Sequence, residues 1–185
     1  MVSRRAFAEV VRVLLDRDFR FVVIGGTIVE YMLGSEDLGD DVDLFVESPS
    51  AVFEEHRYRS LAEEMDWALG YTWLGTPRIV ARAGDEEVPV EFYENIHDFY
   101  VPQAFIERST RADIGGVRVR MLQLEDHVAL KASAGRGSDV ERLKEIARLV
   151  RKGKLVLDKR KLLDAISEFE DRDVIARRLR EVAII

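Results

Sequence analysis

The spacing of apolar residues predicts alternating helices and strands at the start of the chain. Apolar residues recur every three or four positions over residues 3–17, which predicts an amphipathic helix. Short apolar runs at residues 20–24 and 41–46 predict two buried strands. Between these strands, the segment from Thr27 to Leu33 predicts a short helix that begins at a glycine turn.

The middle of the chain predicts one further helix and a series of short strands. The helix is predicted over residues 51–69. Apolar runs between turn residues predict strands at residues 71–74, 78–82, 88–93, 112–114 and 117–121. Pro89 lies in the third of these strands, and because proline cannot donate a backbone hydrogen bond, it predicts a sheet edge or the start of a strand.

The last third of the chain predicts helices. Ser138 and Glu141 have the spacing of a capping box before an apolar helical stripe, and two short helices are predicted after it. Strands are therefore concentrated before residue 121 and helices after it. We expect an α/β core over residues 1–121 and a helical C-terminal region over residues 122–185 that packs on this core.

The composition narrows the class of protein. The 185 residues suffice for one substantial core, and 47% of them are hydrophobic. No apolar run approaches the roughly 20 residues of a membrane helix, and no signal-peptide block follows the N-terminus. The lack of cysteine excludes disulfides, thiolate nucleophiles and cysteine zinc sites. We expect a cytoplasmic protein without a membrane partner, and the 34% of charged residues resembles proteins of thermophiles.

The net charge of −7 is unevenly distributed along the chain. Residues 1–100 carry 9 basic and 21 acidic residues, whereas residues 101–185 carry 19 and 14. An acidic first half suits a metal site and disfavours binding to duplex DNA, which requires cations that replace counterions. The basic second half either meets phosphates or forms solvated helix faces, and the composition leaves both interpretations open.

Candidate chemistry begins at Gly25-Gly26-Thr27, directly after the first apolar strand. Glycine lets the backbone approach a phosphate closely, and the free N–H groups at the start of a helix favour an anion. A glycine pair alone is also typical of a tight turn between a strand and a helix. It predicts a phosphate site only in combination with the residues that follow.

The second apolar strand opens with two acidic residues, Asp41 and Asp43. Because side chains alternate along a strand, both carboxylates are predicted on the same side. Two like charges this close destabilise the fold unless a cation lies between them. Hard oxygen ligands without cysteine or paired histidine indicate Mg²⁺ or Mn²⁺. The alternative is an edge strand with one solvent-exposed face.

Glu91 is a single carboxylate within the apolar strand predicted at residues 88–93. If this strand lies beside that of Asp41 and Asp43, Glu91 completes a cluster of three carboxylates. A third carboxylate can bind a second metal ion and accept the proton of an attacking hydroxyl. The alternative is a glutamate that faces solvent on an edge strand.

The three histidines are predicted to be structural. His56, His97 and His127 are far apart along the chain, and none has a partner at the spacing of metal ligands. The carboxylates are therefore the predicted metal ligands.

The order of these motifs resembles the nucleotidyltransferase superfamily related to DNA polymerase β. A glycine pair after a strand, Asp-x-Asp on the next strand and an acidic residue on a later strand form its signature, here within residues 20–93. The chain is similar to the small prokaryotic members, the minimal nucleotidyltransferases and the AbiEii-like proteins. The resemblance implies a mixed sheet flanked by helices, with a helical C-terminal part.

The resemblance also implies a role for each motif. In such proteins the glycine pair binds the triphosphate, the two aspartates hold both metal ions and the third acid binds the metal near the acceptor. The implied nucleotide-binding residues are Gly25, Gly26, Thr27, Lys131 and Arg136, and the implied catalytic and metal-binding residues are Asp41, Asp43 and Glu91. Lys131 and Arg136 would neutralise phosphate or contact the acceptor; the alternative is a lysine that extends from an apolar helix and an arginine in a loop.

The implied function is metal-dependent transfer of a nucleoside monophosphate from a nucleoside triphosphate such as ATP to an acceptor hydroxyl. The acceptor is left open among a protein, an RNA end and a small molecule. Asp37 and Gly39 stand where many relatives have arginine and threonine. This departure supports an alternative, a catalytically weakened protein that binds nucleotide as a regulatory or antitoxin-like partner of a toxin-like protein.

Overall fold

The computed structural model describes residues 1–96 and 99–185, so His97 lies outside the described residues. The helices of the described part are α1 Arg4–Asp16, α2 Thr27–Met32, α3 Glu55–Met65, α4 Gln103–Glu107, α5 Leu124–Ala134, α6 Gly137–Arg151, α7 Lys159–Ser167 and α8 Arg172–Glu181. The strands are β1 Arg20–Ile24, β2 Val42–Ser48, β3 Ala68–Tyr71, β4 Pro77–Ala83, β5 Glu86–Tyr93, β6 Thr110–Ile114 and β7 Val117–Met121. Among these helices, none combines the length and the apolar character that crossing a membrane requires.

The chain divides into two compact units. The first unit contains Met1–Tyr100 and Ser109–Met121, and it includes the seven strands named above. The second unit contains Val101–Arg108 and Leu122–Ile185, and its regular elements in the described residues are helices. The short helix α4 therefore groups with the helices that follow the last strand. A domain boundary at residue 121 remains a prediction.

The strands of the first unit form one mixed sheet in the order β3-β4-β5-β2-β1-β7-β6. Parallel pairs join β2 to β5 and β1 to β7, and the other neighbours are antiparallel. The predicted α/β class with a mixed sheet and flanking helices is therefore confirmed. The connection from β2 through α3, β3 and β4 returns the chain to the centre of the sheet, where β5 lies beside β2.

Side chains on β4 show how the sheet separates its core face from its polar face. Ile79, Ala81 and Ala83 are buried, while Arg78 and Arg82 alternate with them on the opposite face. Helices α1 and α3 pack on β4 and bury apolar residues of their own. The two-residue period of the strand therefore leaves one face for the core and the other for charged side chains.

Two element boundaries in the middle of the chain differ from the prediction. Helix α3 begins at Glu55 and ends at Met65, so it is shorter at both ends than predicted. It ends there because Asp66 adopts a left-handed conformation with a φ of 53°. The next strand covers Ala68–Tyr71 instead of residues 71–74. Apolar residues continue across this boundary, so periodicity alone could not locate the end of the helix.

The position of Pro89 differs from the simple expectation of an edge strand. Strand β5 is interior, between β4 and β2. However, the pairing of β5 with β2 begins at Val90, opposite Val42, and among the residues that the structure describes Pro89 pairs with Val80 of β4 alone. Pro89 therefore lies where the strand has a partner on one side, which is the local environment of an edge.

The start of α6 in the second unit also differs from the prediction. The N-cap position is Arg136 and the helix begins at Gly137, so Ser138 is already inside the helix. Asp139 makes the capping interaction, since its Oδ2 accepts the backbone N–H of Arg136 at 3.3 Å. The predicted capping box of Ser138 and Glu141 is therefore displaced by two residues at both positions. Asp139 takes the role predicted for Glu141, because its carboxylate at the third helical position accepts the backbone N–H of the N-cap residue.

A buried histidine lies on α5, which contacts α6, α7 and α8. His127 is 2% exposed, and among the described residues its Nε2 atom has no hydrogen-bond partner. Burial first, and then the positive charges of Lys131 and Arg142, lower the pKa of His127 to about 3, and Asp139 opposes this shift only in part. The imidazole is therefore neutral at neutral pH.

We expect the free energy of unfolding to decrease as the pH falls from 7.5 to 5. The unfolded chain protonates His127 near pH 6.5, whereas the folded chain resists protonation until about pH 3. The stabilisation is therefore complete above pH 6.5 and is lost below it, by about 2 kcal/mol at pH 5. Urea unfolding of His127→Gln removes this pH dependence, and the matched change at the exposed His56, His56→Gln, retains it. Identical pH dependence in the two variants would contradict this assignment.

Candidate functional site

The parallel pairing of β2 and β5 brings the predicted carboxylates together. Asp43 lies opposite Glu91 in the register of these strands, and Asp41 lies just before β2. One carboxylate oxygen of each residue lies within 4.8 Å of those of the other two. We call Asp41, Asp43 and Glu91 the acidic cluster. Its members come from distant parts of the chain and meet because β5 returns to the centre of the sheet.

The glycine turn lies directly against the acidic cluster. Ile24, the last residue of β1, pairs with Asp43, and Gly25 follows it with a φ of 74°. A Cβ atom on Gly25 would lie 1.9 Å from Oδ2 of Asp43. Only glycine therefore fits this position, because a side chain would be both strained and in collision with the carboxylate.

Two side chains hold Glu91 in place. Nε of Arg78 donates to Oε1 of Glu91 at 3.1 Å, and the hydroxyl of Tyr93 donates to Oε2. The ring of Tyr93 stacks on Phe99, with centroids 4.9 Å apart. Both oxygens of the Glu91 carboxylate are therefore engaged, and its rotation is restricted.

The negative charge of the cluster affects the Tyr93 phenol. Burial is the first cause that raises the pKa of Tyr93, and its hydrogen bond to Glu91 is the second. The negative charges of Asp43, Glu91 and Asp41 raise this pKa further. The phenol therefore stays protonated and remains a donor to Glu91.

The acidic cluster has the donor set of a hard divalent cation. Its ligand atoms are carboxylate oxygens, which Mg²⁺ and Mn²⁺ take in proteins. Asp41 is exposed, while Asp43 and Glu91 are half-buried, so the cluster is open to solvent on one side. A cation would also relieve the repulsion among three carboxylates. The residues present therefore fit a divalent metal ion.

The other residues of the glycine turn serve the local structure. Gly26 is the N-cap of α2, and Thr27 is 1% exposed. The hydroxyl of Thr27 donates to the backbone carbonyl of Leu38 at 3.4 Å. This contact ties α2 to the loop that leads into the acidic cluster. Phosphate binding by Gly26 and Thr27 stays a prediction.

Lys131 and Arg136 lie in the second unit, where both pair with Asp139. Nζ of Lys131 lies 2.9 Å from Oδ1 of Asp139, and Nε of Arg136 lies 2.7 Å from Oδ2. Burial acts to raise the pKa of Asp139, but these hydrogen bonds lower it below its ordinary value. The pairs therefore stabilise a carboxylate that is only 1% exposed. Nucleotide binding by Lys131 and Arg136 stays a prediction.

Sequence reasoning missed Arg78 and Tyr93. Tyr93 lies two residues after Glu91, so the strand period places both side chains on one face and could have identified it. Arg78 lies opposite Glu91 in the antiparallel register of β4 and β5. No local signal indicates this contact, because it depends on which strands pair and in which register.

Comparison with protein families gives one match over nearly the whole chain. The family is described as nucleotidyl transferase of unknown function (DUF2204), and its model matches residues 3–181. No curated protein is similar enough to count as a relative.

Two solved structures are similar to this chain at low sequence identity. One is the crystal structure of an antigenic nucleotidyltransferase-like protein from Paracoccidioides brasiliensis, with 16% identity, a TM-score of 0.53, and 97% of this chain and 94% of that chain covered. The other is the crystal structure of ANT(2")-Ia in complex with adenylyl-2"-tobramycin, with 16% identity, a TM-score of 0.48, and 96% and 97% covered. The first likeness shows the shared fold, which confirms the predicted nucleotidyltransferase-like mixed sheet.

We expect Gly25→Ala to destabilise the protein more than Gly34→Ala. Both glycines have a positive φ, 74° and 71°, but a Cβ on Gly34 would meet nothing within 4 Å. Gly34→Ala should therefore show backbone strain alone, about 1 kcal/mol. Gly25→Ala adds the collision with Asp43, for a total of about 2–4 kcal/mol. Urea unfolding measures both values, and equal losses would show that Asp43 is not held against the turn.

Proposed function

Because the chain belongs to the family of nucleotidyl transferases whose model spans it, we propose that it transfers a nucleoside monophosphate from a nucleoside triphosphate to an acceptor hydroxyl. We further propose that the reaction depends on a divalent metal ion, Mg²⁺ or Mn²⁺, bound by the acidic cluster. The observation that carries the proposal is the convergence of three carboxylates within 4.8 Å of one another, beside a turn where only glycine fits.

The phosphates are proposed to bind at the glycine turn. Because Gly25 has no side chain, the Asp43 carboxylate lies against the backbone of the turn, so a phosphate bound at the turn would lie beside a metal-binding carboxylate. Asp41 and Asp43 would hold the metal ion, which when bound supplies neutralisation of the phosphate charge and polarisation of the α-phosphate. The half-buried position of Asp43 strengthens this electrostatic contact relative to bulk water.

Glu91 is proposed to act on the acceptor. The acceptor oxygen forms a bond to the α-phosphorus while the bond from that phosphorus to pyrophosphate breaks, and the hydroxyl proton passes to the Glu91 carboxylate. Arg78 and Tyr93 each donate to one oxygen of Glu91 and keep it in a single orientation. Their role is therefore to position the carboxylate for the acceptor and the metal.

The identity of the acceptor is left open among a protein, an RNA end and a small molecule. Lys131 and Arg136 are proposed to contact phosphate or acceptor in addition to their pairing with Asp139. Residues 1–121 are proposed as the catalytic core, since they include all three members of the acidic cluster. A regulatory protein that binds nucleotide without transferring it is the competing proposal, and the same assays test it.

We expect Asp43→Asn and Glu91→Gln each to reduce nucleotidyl transfer at least about 100-fold, because each removes a charged group at the reacting centre. The assay uses each of the common nucleoside triphosphates labelled at the α-phosphate, with Mg²⁺ or Mn²⁺ and panels of protein, RNA and small-molecule acceptors. Glu87→Gln is the matched control, because Glu87 is an exposed acid on the same strand. This control should retain the activity of the parent.

Binding measurements separate the two proposals. Calorimetry with Mn²⁺ and with each triphosphate should show binding by the parent and weakened metal binding by Asp43→Asn. Binding of nucleotide and metal without transfer to any acceptor would support the regulatory alternative. If the parent transfers no label, and Asp43→Asn binds the nucleotide and the metal ion with the same affinity as the parent, the proposed site is wrong.

We expect Tyr93→Phe to lower metal affinity or turnover by about 10- to 100-fold, because it frees one oxygen of Glu91 to rotate. The substitution retains the ring that stacks on Phe99 and removes only the hydroxyl. Mn²⁺ calorimetry and kcat measured at saturating triphosphate give the two readouts. Tyr71→Phe is the control, since Tyr71 is exposed and donates to Glu55 instead. Unchanged metal affinity and kcat in Tyr93→Phe would contradict the positioning role.

A further inference from the structure

A strongly basic surface segment joins α6 to α7 in the second unit. Residues 148–161, which we call the basic segment, contain seven of the 28 Lys and Arg residues and one of the 35 Asp and Glu residues. Its formal charge is therefore +6, whereas the rest of the chain carries −13. All seven basic side chains are exposed. The charge of this segment is thus opposite to that of the molecule that carries it.

Most of these cations are available to an external anion. Among the described residues, six of them have no side-chain hydrogen bond or ion pair, namely Arg148, Arg151, Lys152, Lys154, Lys159 and Arg160. The preceding turns of α6 are different, because Arg142 pairs with Glu145 at 2.6 Å and Lys144 pairs with Glu141 at 2.7 Å. The nearest acidic side chains of α6 therefore already form ion pairs with other residues. Lys161 alone makes a side-chain contact, to Gln123 at 3.3 Å.

Helix stability explains only part of this charge. Arg148 and Arg151 lie in the last turn of α6, where the helix dipole favours cations. Residues 159–161 form the first turn of α7, which contains no acid and where the dipole disfavours cations. The one acid, Asp158, caps α7 by accepting two backbone N–H groups. Three cations therefore occupy positions that oppose local stability, so the dipole of α7 does not account for them.

The segment presents its charges from a fixed backbone and offers little apolar surface. Leu155 is 3% exposed, and Leu162, the residue directly after the segment, is fully buried, so both anchor the segment to the second unit. Val156 is 81% exposed and is the one large apolar side chain that projects from it. The segment contains no aromatic residue. Contacts with a partner must therefore be made by guanidinium and ammonium groups.

We propose that the basic segment binds a single strand of nucleic acid through its phosphates. An arginine guanidinium group can donate two parallel hydrogen bonds to two oxygens of one phosphate. Lysines add positive charges along the phosphate backbone of the strand. A membrane surface fits less well, because an interfacial segment inserts several large apolar side chains and this one offers only Val156. This inference stands on the basic segment and does not depend on the proposed transferase activity.

Fluorescence anisotropy of the full chain with labelled single strands of RNA and of DNA, each about 20 nucleotides long, tests the proposal. We expect binding whose affinity falls about 50- to 300-fold between about 50 and 200 mM salt, as neutralisation of about four to six phosphates requires. Poly-U and poly-A should bind with similar affinity, because the basic segment has no aromatic residue that could stack on the bases. A difference between RNA and DNA would identify which of the two strands is bound.

Substitution of four exposed cations locates the binding surface. We expect a variant with four substitutions to bind the strand at least tenfold more weakly and to reduce the slope of log affinity against log salt by about three. The four substitutions are Arg151→Gln, Lys152→Gln, Lys154→Gln and Lys159→Gln. The matched control replaces Lys144, Arg172, Arg177 and Arg180, which are equally exposed in the second unit, and should stay within about threefold of the parent. Circular dichroism confirms that both variants fold.

Three results would overturn the proposal. The first is the absence of binding to either strand at about 50 mM salt. The second is an equal loss in the variant and its control, which would indicate attraction by the whole unit and not by the basic segment. The third is binding to vesicles of phosphatidylserine and phosphatidylcholine without binding to the strands, which would assign the segment to a membrane surface.

Discussion

The repulsion among three carboxylates is the constraint on which the candidate site depends. At an effective dielectric constant of about 20, two unit charges 4.8 Å apart repel each other by roughly 3 kcal/mol. This is a large fraction of the stability of an ordinary domain, about 5–15 kcal/mol. Asp41 is exposed, so solvent weakens its contribution to the repulsion. Asp43 and Glu91, however, are half-buried on adjacent strands. A sheet that builds such a cluster at its centre must compensate for it.

The surroundings of the cluster supply part of that compensation. Arg78 contributes a positive charge and a hydrogen bond to Glu91, and the protonated Tyr93 contributes another. Gly25 makes room for the Asp43 carboxylate where any side chain would collide with it. A divalent cation would neutralise negative charge of the carboxylates, and it would link the architecture of the sheet to the proposed chemistry.

Much of the fold could be predicted because its signals are local. The strand at residues 20–24 agrees with the structure at both ends, since the apolar run directly follows Arg20 and ends at the glycine pair. The end of α3 could not be predicted, because Asp66 stops the helix while apolar residues continue beyond it. Pro89 indicated an edge correctly only in the local sense. Strand β5 is interior, and whether Pro89 has a partner on one side or on both depends on where the pairing with β2 begins.

The sequence by itself determined which acids could form a site: the alternation of a strand placed Asp41 and Asp43 together, and an isolated acid in an apolar strand singled out Glu91. Only the tertiary structure decided that Glu91 lies opposite Asp43 and that Arg78 lies opposite Glu91. The physical reason is that side-chain alternation is a property of one strand, whereas register is a property of a pair. Pairing depends on which strands become neighbours in the folded sheet, and no pattern within a single strand indicates this.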